Sequence, residues 1–124
     1  MKLFYIGLFG GFGCLSRYWV SGVVYQWFGR SLPYGTLGVN LAGSFLLGLV
    51  MELSLRTTLL SDDLRMGICV GFMGGFTTFS TFSYETWRLL EAGNWTSAAA
   101  NVVLNVLICL VAAGLGIALV RSVA

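Results

Sequence analysis

The sequence contains no histidine, and only 10% of its 124 residues are charged. Histidine is the commonest general base and metal ligand, and no nucleophile–base pair replaces it, so we predict that the chain is not an enzyme. A soluble domain carries about 25% charged residues, which argues against a soluble fold. The three cysteines, Cys14, Cys69 and Cys109, show no CxxC spacing and are predicted to be small buried residues.

Charge is missing altogether from long stretches of the chain. The three charge-free runs cover residues 31–51, 66–84 and 92–120. A helix that spans a bilayer needs about 20 mostly apolar residues, and each run is long enough or nearly so. A fourth span must lie between Lys2 and Arg30, with Arg17 inside it. No A-x-A-like cleavage site follows the first apolar stretch, so we interpret it as a span and not as a signal peptide.

These runs predict an all-α integral membrane protein with four transmembrane helices in a single domain over residues 1–124. The predicted helices are Leu3–Trp27, Tyr34–Leu55, Asp62–Glu91 with Ser61 as its cap, and Trp95–Arg121. Four short helices that pack together cannot also enclose a wide aqueous path, so a transport function needs an oligomer. The side with both termini and the second loop holds four cations and the other side two, a weak bias that permits insertion in both orientations.

Small residues mark the predicted helix contacts. Gly7 and Gly11 form a GxxxG pair, which permits close approach of a second helix. Asn40, Ser44 and Gly48 are spaced at i, i+4 and i+8 and so share one face of the second helix.

The third helix contains an unusual segment. Gly74 and Gly75 are followed by five hydroxyl residues within the seven positions 77–83, which makes a continuous helix unfavourable. We expect a break near Gly74–Thr78. Non-helical backbone at membrane depth is tolerated where it is buried in protein or lines a cavity. Two interpretations stay open: the freed carbonyls bind a cation, or hydroxyl groups satisfy a structural kink.

Four phenylalanines recur at helical spacing around this segment, so they are expected on one helix face. They are Phe72, Phe76, Phe79 and Phe82. One interpretation is packing or lipid contact. The other uses the positive ring edge of an aromatic side chain, which could face a pore and hold a small anion. Phe79 and Phe82 are best placed for this because they follow the predicted break.

The polar residues within the spans each allow two interpretations. Arg17 either makes structural contacts or lines an anion-attracting vestibule, and Glu85 is either a vestibule group or an exposed acid at a helix end. Asn40 can hold helices together or donate N–H groups to an anion. The line at i, i+4 and i+8 in the last helix, Asn101, Asn105 and Cys109, is likewise either interhelical contact or pore lining.

Together these segments resemble the Fluc fluoride channel family, also called CrcB proteins. The likeness covers essentially the whole chain and is most specific in the third helix. It is carried by Gly10-Gly11 with Arg17-Tyr18, by Gly35-Thr36-Leu37-Gly38-Val39-Asn40-Leu41-Ala42-Gly43, and by residues 71–85, GFMGGFTTFSTFSYE.

The resemblance implies a fluoride-selective channel for passive export across the plasma (inner) membrane. It implies a multi-pass, dual-topology antiparallel homodimer with two narrow pores, whose partners are fluoride, lipid and a second copy, without nucleic acid. A structural sodium ion would sit at the dimer interface on the carbonyls of Gly74 and Thr77. Arg17 and Glu85 would be vestibule residues. The implied pore residues are Phe79, Phe82, Asn40, Ser83, Asn101, Asn105 and Cys109.

Two other classes of protein fit parts of the sequence. A small multidrug-type proton antiporter has similar size but needs a carboxylate within the membrane, whereas Glu52 and Glu85 lie near span ends. A pore-forming or structural assembly protein without a selective site fits the composition, but the dense pattern in the third helix does not favour it.

Overall fold

The computed structural model describes all 124 residues, and the chain is helical with no strand. The helices are α1 (Lys2–Phe28), α2 (Tyr34–Arg56), α3 (Asp62–Met66), α4 (Met73–Phe76), α5 (Phe79–Glu91) and α6 (Trp95–Val123), with a π-helical segment at Gly67–Phe72 between α3 and α4. The prediction of an all-helical chain is confirmed. By length and composition, α2 and α6 are apolar enough to cross a membrane. Large apolar side chains cover much of the outer surface, as expected of a membrane protein.

The interruption predicted near Gly74–Thr78 is confirmed, and it lies at Thr77 and Thr78. Both residues have extended backbone between α4 and α5. The glycine pair itself stays helical, because Gly75 lets α4 pack closely on α1: a Cβ at this position would lie 2.6 Å from the Gly10 carbonyl oxygen. The hydroxyl residues end the helix instead, since the Thr78 side chain caps α5 by accepting a hydrogen bond from the Thr81 N–H at 3.2 Å.

Helix α1 packs against the π-helical segment through glycine, but not through the predicted pair. A Cβ at Gly13 would lie 2.2 Å from the carbonyl oxygen of Phe72. A Cβ at Gly7 or Gly11 would meet nothing within 4 Å. The expectation of a close contact at Gly7 and Gly11 is therefore wrong within the chain, because the contacting face of α1 runs through Gly10 and Gly13.

Helices α2 and α6 lie against each other over most of their length. A Cβ at Gly48 would lie 2.3 Å from the Ala113 carbonyl oxygen, and a Cβ at Gly116 would lie 2.2 Å from that of Phe45. This close approach confirms the small and polar face predicted for α2. It also brings Asn40, two turns before Gly48, to the polar line of α6.

The start of α3 is tied to the start of α1. Ser61 caps α3, as predicted, by accepting from the Leu64 N–H at 3.2 Å. The Lys2 ammonium lies 2.8 Å from an Asp62 carboxylate oxygen. Their hydrogen bond and charge attraction raise the pKa of Lys2 and lower the pKa of Asp62.

Candidate functional site

A cavity of about 460 Å³ lies between α2, the break, α5 and α6. It contains six of the predicted site residues, which come from three separate parts of the chain: Asn40, Thr77, Phe79, Phe82, Asn105 and Cys109. No charged side chain lines it. The packing of α2 on α6 and the break between α4 and α5 together create this neutral space.

Asn40 holds the break in place by binding both backbone groups of Thr78. Its Oδ1 accepts from the Thr78 N–H at 2.8 Å, and its Nδ2 donates to the Thr78 carbonyl at 3.1 Å. Thr78 is buried, and unpaired buried backbone groups are costly. The side chain therefore replaces hydrogen bonds that a continuous helix would have supplied.

The same arrangement removes the usual helical N–H donors from two carbonyls, those of Gly74 and Thr77, which the resemblance implies as sodium ligands. In a continuous helix the Thr78 N–H would bond to the Gly74 carbonyl, but it bonds to Asn40 instead. The Thr81 N–H would bond to the Thr77 carbonyl, but it bonds to the Thr78 hydroxyl. The carbonyls of Gly74 and Thr77 have thus lost their usual helical donors, which fits the oxygen ligands that a hard cation such as sodium takes.

Asn40 is also the start of a chain of amides that crosses to α6. Its Nδ2 donates to Asn105 Oδ1 at 3.1 Å, and Asn105 Nδ2 donates to the backbone and side-chain oxygens of Asn101 at 2.9 and 3.0 Å. Asn101 donates to the Thr86 hydroxyl at 2.8 Å, which donates to the Phe82 carbonyl at 2.8 Å. Thr86 was not among the predicted site residues. Its spacing one turn after Phe82 was the available signal.

The four phenylalanines form two pairs and not one stripe. Phe72 and Phe76 stack with ring centroids 5.7 Å apart, whereas Phe79 and Phe82 meet edge to face at 5.3 Å. The break separates the two pairs, so the expectation of one continuous helix face is wrong. Of the four, only Phe79 and Phe82 line the cavity. They differ in exposure, because Phe79 is 77% exposed and Phe82 is only 8% exposed.

Two predicted pore residues do not line the cavity in this chain. Ser83 is exposed, and its hydroxyl donates to the Phe79 carbonyl at 2.9 Å. Asn101 is 2% exposed and touches the cavity only through its bonds to Asn105.

The two predicted vestibule residues lie in different cavities. Arg17 lines a space of about 240 Å³ that reaches Thr36 and Thr78 on the other side of the break. Glu85 lines a space of about 310 Å³ together with Arg30 and Arg88. The Glu85 carboxylate accepts from the hydroxyls of Thr36 and Tyr25, the latter at 2.9 Å.

Glu52 is the other carboxylate that the antiporter alternative would need. It is buried, and its Oε1 accepts from Arg56 Nε at 2.7 Å and from Arg121 Nε at 2.9 Å. A carboxylate held by two guanidinium groups is stabilised in its ionised form. This arrangement disfavours Glu52 as a carrier of protons.

The cysteines are free thiols, and they are less buried than predicted. Cys14 is exposed, and Cys69 and Cys109 are half-buried. The expectation of burial is wrong for the single chain, because the helices present much of their circumference outward. No group of three histidine, cysteine or acidic side chains is close enough to hold a metal ion.

Comparison with known proteins agrees with the resemblance seen in the sequence. The profile of the family described as "CrcB-like protein, Camphor Resistance (CrcB)" matches residues 4–117. A fluoride-specific ion channel FluC of Syntrophotalea carbinolica is 63% identical over 98% of this chain and 99% of its own length. Proteins of the same name are 58% identical in Geotalea daltonii, over 96% of both chains, and 59% identical in Geobacter metallireducens, over 94% of both.

These relatives carry the name of an ion channel, which confirms the prediction that the chain is not an enzyme. The match covers nearly the entire chain and includes the third-helix segment that carried the resemblance. The chain belongs to the CrcB family.

Proposed function

We propose that this chain is the subunit of a fluoride-selective ion channel. The observation that carries the proposal is the neutral cavity in which two phenylalanine rings meet amide and thiol side chains. Relatives named fluoride-specific ion channels match almost the full length. A channel must bind its ion well enough to admit it and loosely enough to release it. Weak, oriented dipoles without a fixed charge suit that requirement for a small anion.

The phenylalanine pair supplies the first kind of dipole. An aromatic ring is negative on its face and positive at its edge. Phe79 and Phe82 both line the cavity, and their ring planes are inclined by 60° to each other. Ring edges that point into the cavity would attract fluoride without the strong hydrogen bonds that would trap it. Asn40, Asn105 and Cys109 line the same cavity, and Asn101 and Ser83 would be further pore residues.

A second copy of the chain is part of the proposal. The cavity is open on one side, and Phe79 is 77% exposed there although it is an apolar side chain. An antiparallel partner would cover this face and complete two separate pores. The weak charge bias between the two sides supports insertion in both orientations, so each pore would cross the membrane beside an inverted copy.

A sodium ion at the interface between the two breaks would neutralise the freed carbonyls. Gly74 is exposed, a Cβ there would meet nothing within 4 Å, and its carbonyl has lost its usual donor. The Thr77 carbonyl has likewise lost its helical donor, because the Thr81 N–H bonds to the Thr78 hydroxyl. These carbonyls would hold the ion, and the ion would supply the charge that keeps two such breaks together.

The proposed setting is a multi-pass protein of the inner membrane with four spans. Helices α2 and α6 pass a test of length and composition for spanning. Helix α1 has 27 residues, and the elements from α3 to α5 together supply the remaining span. Arg17 and Glu85 line separate cavities that both adjoin Thr36, and they would be vestibule residues of the path. Passive export requires no nucleotide site or proton carrier.

Reconstitution in liposomes tests the function directly. Fluoride and chloride efflux are recorded separately from vesicles loaded with either salt. Fast fluoride efflux with little chloride efflux is expected. Equal efflux of both ions, or no efflux from protein that is folded and inserted, would contradict the proposal. A tag at the C-terminus should be accessible on both membrane faces of cells, and accessibility on one face alone would contradict dual insertion.

A further inference from the structure

The carboxamide of Asn40 has only one possible orientation. The Thr78 N–H can only donate, so it must face the oxygen of Asn40, at 2.8 Å. The nitrogen of Asn40 then faces the Thr78 carbonyl and Asn105 Oδ1, both at 3.1 Å. An amide nitrogen has two hydrogens. Both are therefore engaged within the chain, and neither is free to bind an anion.

The carboxamide of Asn105 is oriented by the same logic. The backbone oxygen of Asn101 can only accept, and Asn105 Nδ2 lies 2.9 Å from it. The Asn101 side chain also presents its oxygen, because its nitrogen donates to Thr86, which in turn donates to the Phe82 carbonyl. Asn105 is thereby made to turn its own oxygen toward Asn40 and the cavity.

An acceptor oxygen is out of place on a wall that an anion must pass. Fluoride accepts hydrogen bonds and donates none, so it cannot bind Asn105 Oδ1. It can bind Asn40 only by taking an N–H that the chain already uses, and the N–H directed at Asn105 is the one given to another side chain and not to the backbone of the break. Asn105 and the anion compete for the same proton.

We propose that Asn105 is a competing acceptor that weakens the binding of fluoride to Asn40 and so speeds its release. This inference rests on the proposed function. The competing bond keeps the Asn40 N–H satisfied when no ion is present, which avoids the cost of an unpaired buried donor. It also limits how tightly an arriving ion is held, and conduction needs such a limit.

Removal of Asn105 should change fluoride binding in opposite directions if Asn105 is a competing acceptor and if it is a fluoride ligand. If Asn105 bound fluoride, its removal would weaken binding. If it competes, its removal strengthens binding. A neutral hydrogen bond contributes about 0.5–1.5 kcal/mol net, so the half-saturating fluoride concentration should fall by about two- to tenfold when the competitor is removed.

The test measures single-channel current in planar bilayers against fluoride concentration. Asn105→Leu keeps the approximate size of the side chain and removes the acceptor. Asn105→Ser is a second variant, because its shorter hydroxyl can bond to the carbonyl one turn back but is too short to replace the bond to Asn40. Thr96→Val is the control, since Thr96 is an exposed polar residue of the same helix that lies outside the cavity and outside the amide chain.

We expect both Asn105 variants to lower the half-saturating fluoride concentration and the maximal current, with Thr96→Val close to the parent protein in half-saturation. An unchanged or raised half-saturating concentration in whichever Asn105 variant forms channels would overturn the proposal. Failure of the parent protein to carry fluoride current would instead defeat the proposed function, so the two failures can be told apart.

Discussion

Two polar clusters join α2 to α6, and they differ in kind. The first is neutral and consists of Asn40, Asn105 and Asn101, bonded in sequence. The second is charged and consists of Glu52 between Arg56 and Arg121 near the far end of both helices. The neutral cluster borders the cavity of about 460 Å³, whereas no member of the charged cluster lines it.

The difference between the clusters corresponds to two roles. One role is to hold α2 against α6, which we call attachment, and the other is to let an ion pass, which we call conduction. A fixed charge beside a narrow path would either bar an ion of like sign or hold one of opposite sign too long. Amides that satisfy one another leave no net charge, yet their dipoles can be rearranged by a passing ion. The chain therefore uses ion pairs where helices only need to stay together. It uses neutral hydrogen bonds where we propose that fluoride moves.

Asn40→Leu should have the largest effect, because it removes attachment and conduction at once. The Thr78 N–H and carbonyl would both lose their partner, and each unsatisfied buried group costs about 1–3 kcal/mol. We expect a loss of about 2–6 kcal/mol in the free energy of unfolding, measured by thermal unfolding in detergent, together with loss of fluoride efflux.

Ser44→Ala is the matched control for this change. Ser44 lies one turn further along the same face of α2 and lines the same cavity, but it makes no bond to the break. Its unfolding temperature should stay near that of the parent protein. If Asn40→Leu were no less stable than Ser44→Ala, Asn40 would not be the residue that holds the break.

The sequence was informative about the elements and about one side of the cavity. Charge-free runs located the long helices, and the glycine pair with its hydroxyl residues located the break. The ion pair between Glu52 and Arg121 could not be predicted, because it joins residues 69 positions apart and no local pattern links them. The same reason explains why Thr86 was missed, since its importance comes from Asn101, which lies 15 positions later.

Burial was the property that the sequence predicted least well. Cys14 lies in an apolar stretch yet is exposed, and Gly7 and Gly11 form a contact motif, yet a Cβ at either position would meet nothing within 4 Å. In a membrane helix the apolar residues cover the whole circumference, so hydrophobicity does not tell which face meets another helix. That information comes only from packing.

Phe79→Ile should affect conduction without affecting attachment. Phe79 is 77% exposed, so the unfolding temperature of the single chain should change little, whereas loss of the ring edge should reduce fluoride efflux by about tenfold or more, as expected for ~1.5 kcal/mol of lost interaction. Phe72→Ile is the control, because Phe72 lies outside the cavity. Similar efflux from the two variants would show that the cavity-lining ring has no special role.

Glu52→Gln should affect attachment without affecting conduction. The substitution leaves two guanidinium groups facing each other without their shared carboxylate, so the unfolding temperature should fall, by less than in Asn40→Leu. The fluoride current of each open channel should stay the same, as measured in planar bilayers. Glu91→Gln, in the exposed pair with Arg88, should have almost no effect on either quantity. A changed unitary current in Glu52→Gln would contradict the separation of the two clusters.

The smallest effect is expected at the Lys2–Asp62 pair, which is charged but exposed and shares no residue with either cluster. The pKa of Asp62 is lowered by Lys2, so its stabilisation is present above the ordinary carboxyl pKa of about 4 and is lost as pH falls through the lower, folded value. The pKa of Lys2 is raised, so its stabilisation is complete below about pH 10 and is lost only as pH rises through the higher, folded value. Thermal unfolding of Lys2→Ala should therefore differ slightly and constantly from the parent between about pH 5 and pH 9, and the two should converge in acid. A difference that changed within this range would mean that another titrating group contributes to the junction of α1 and α3.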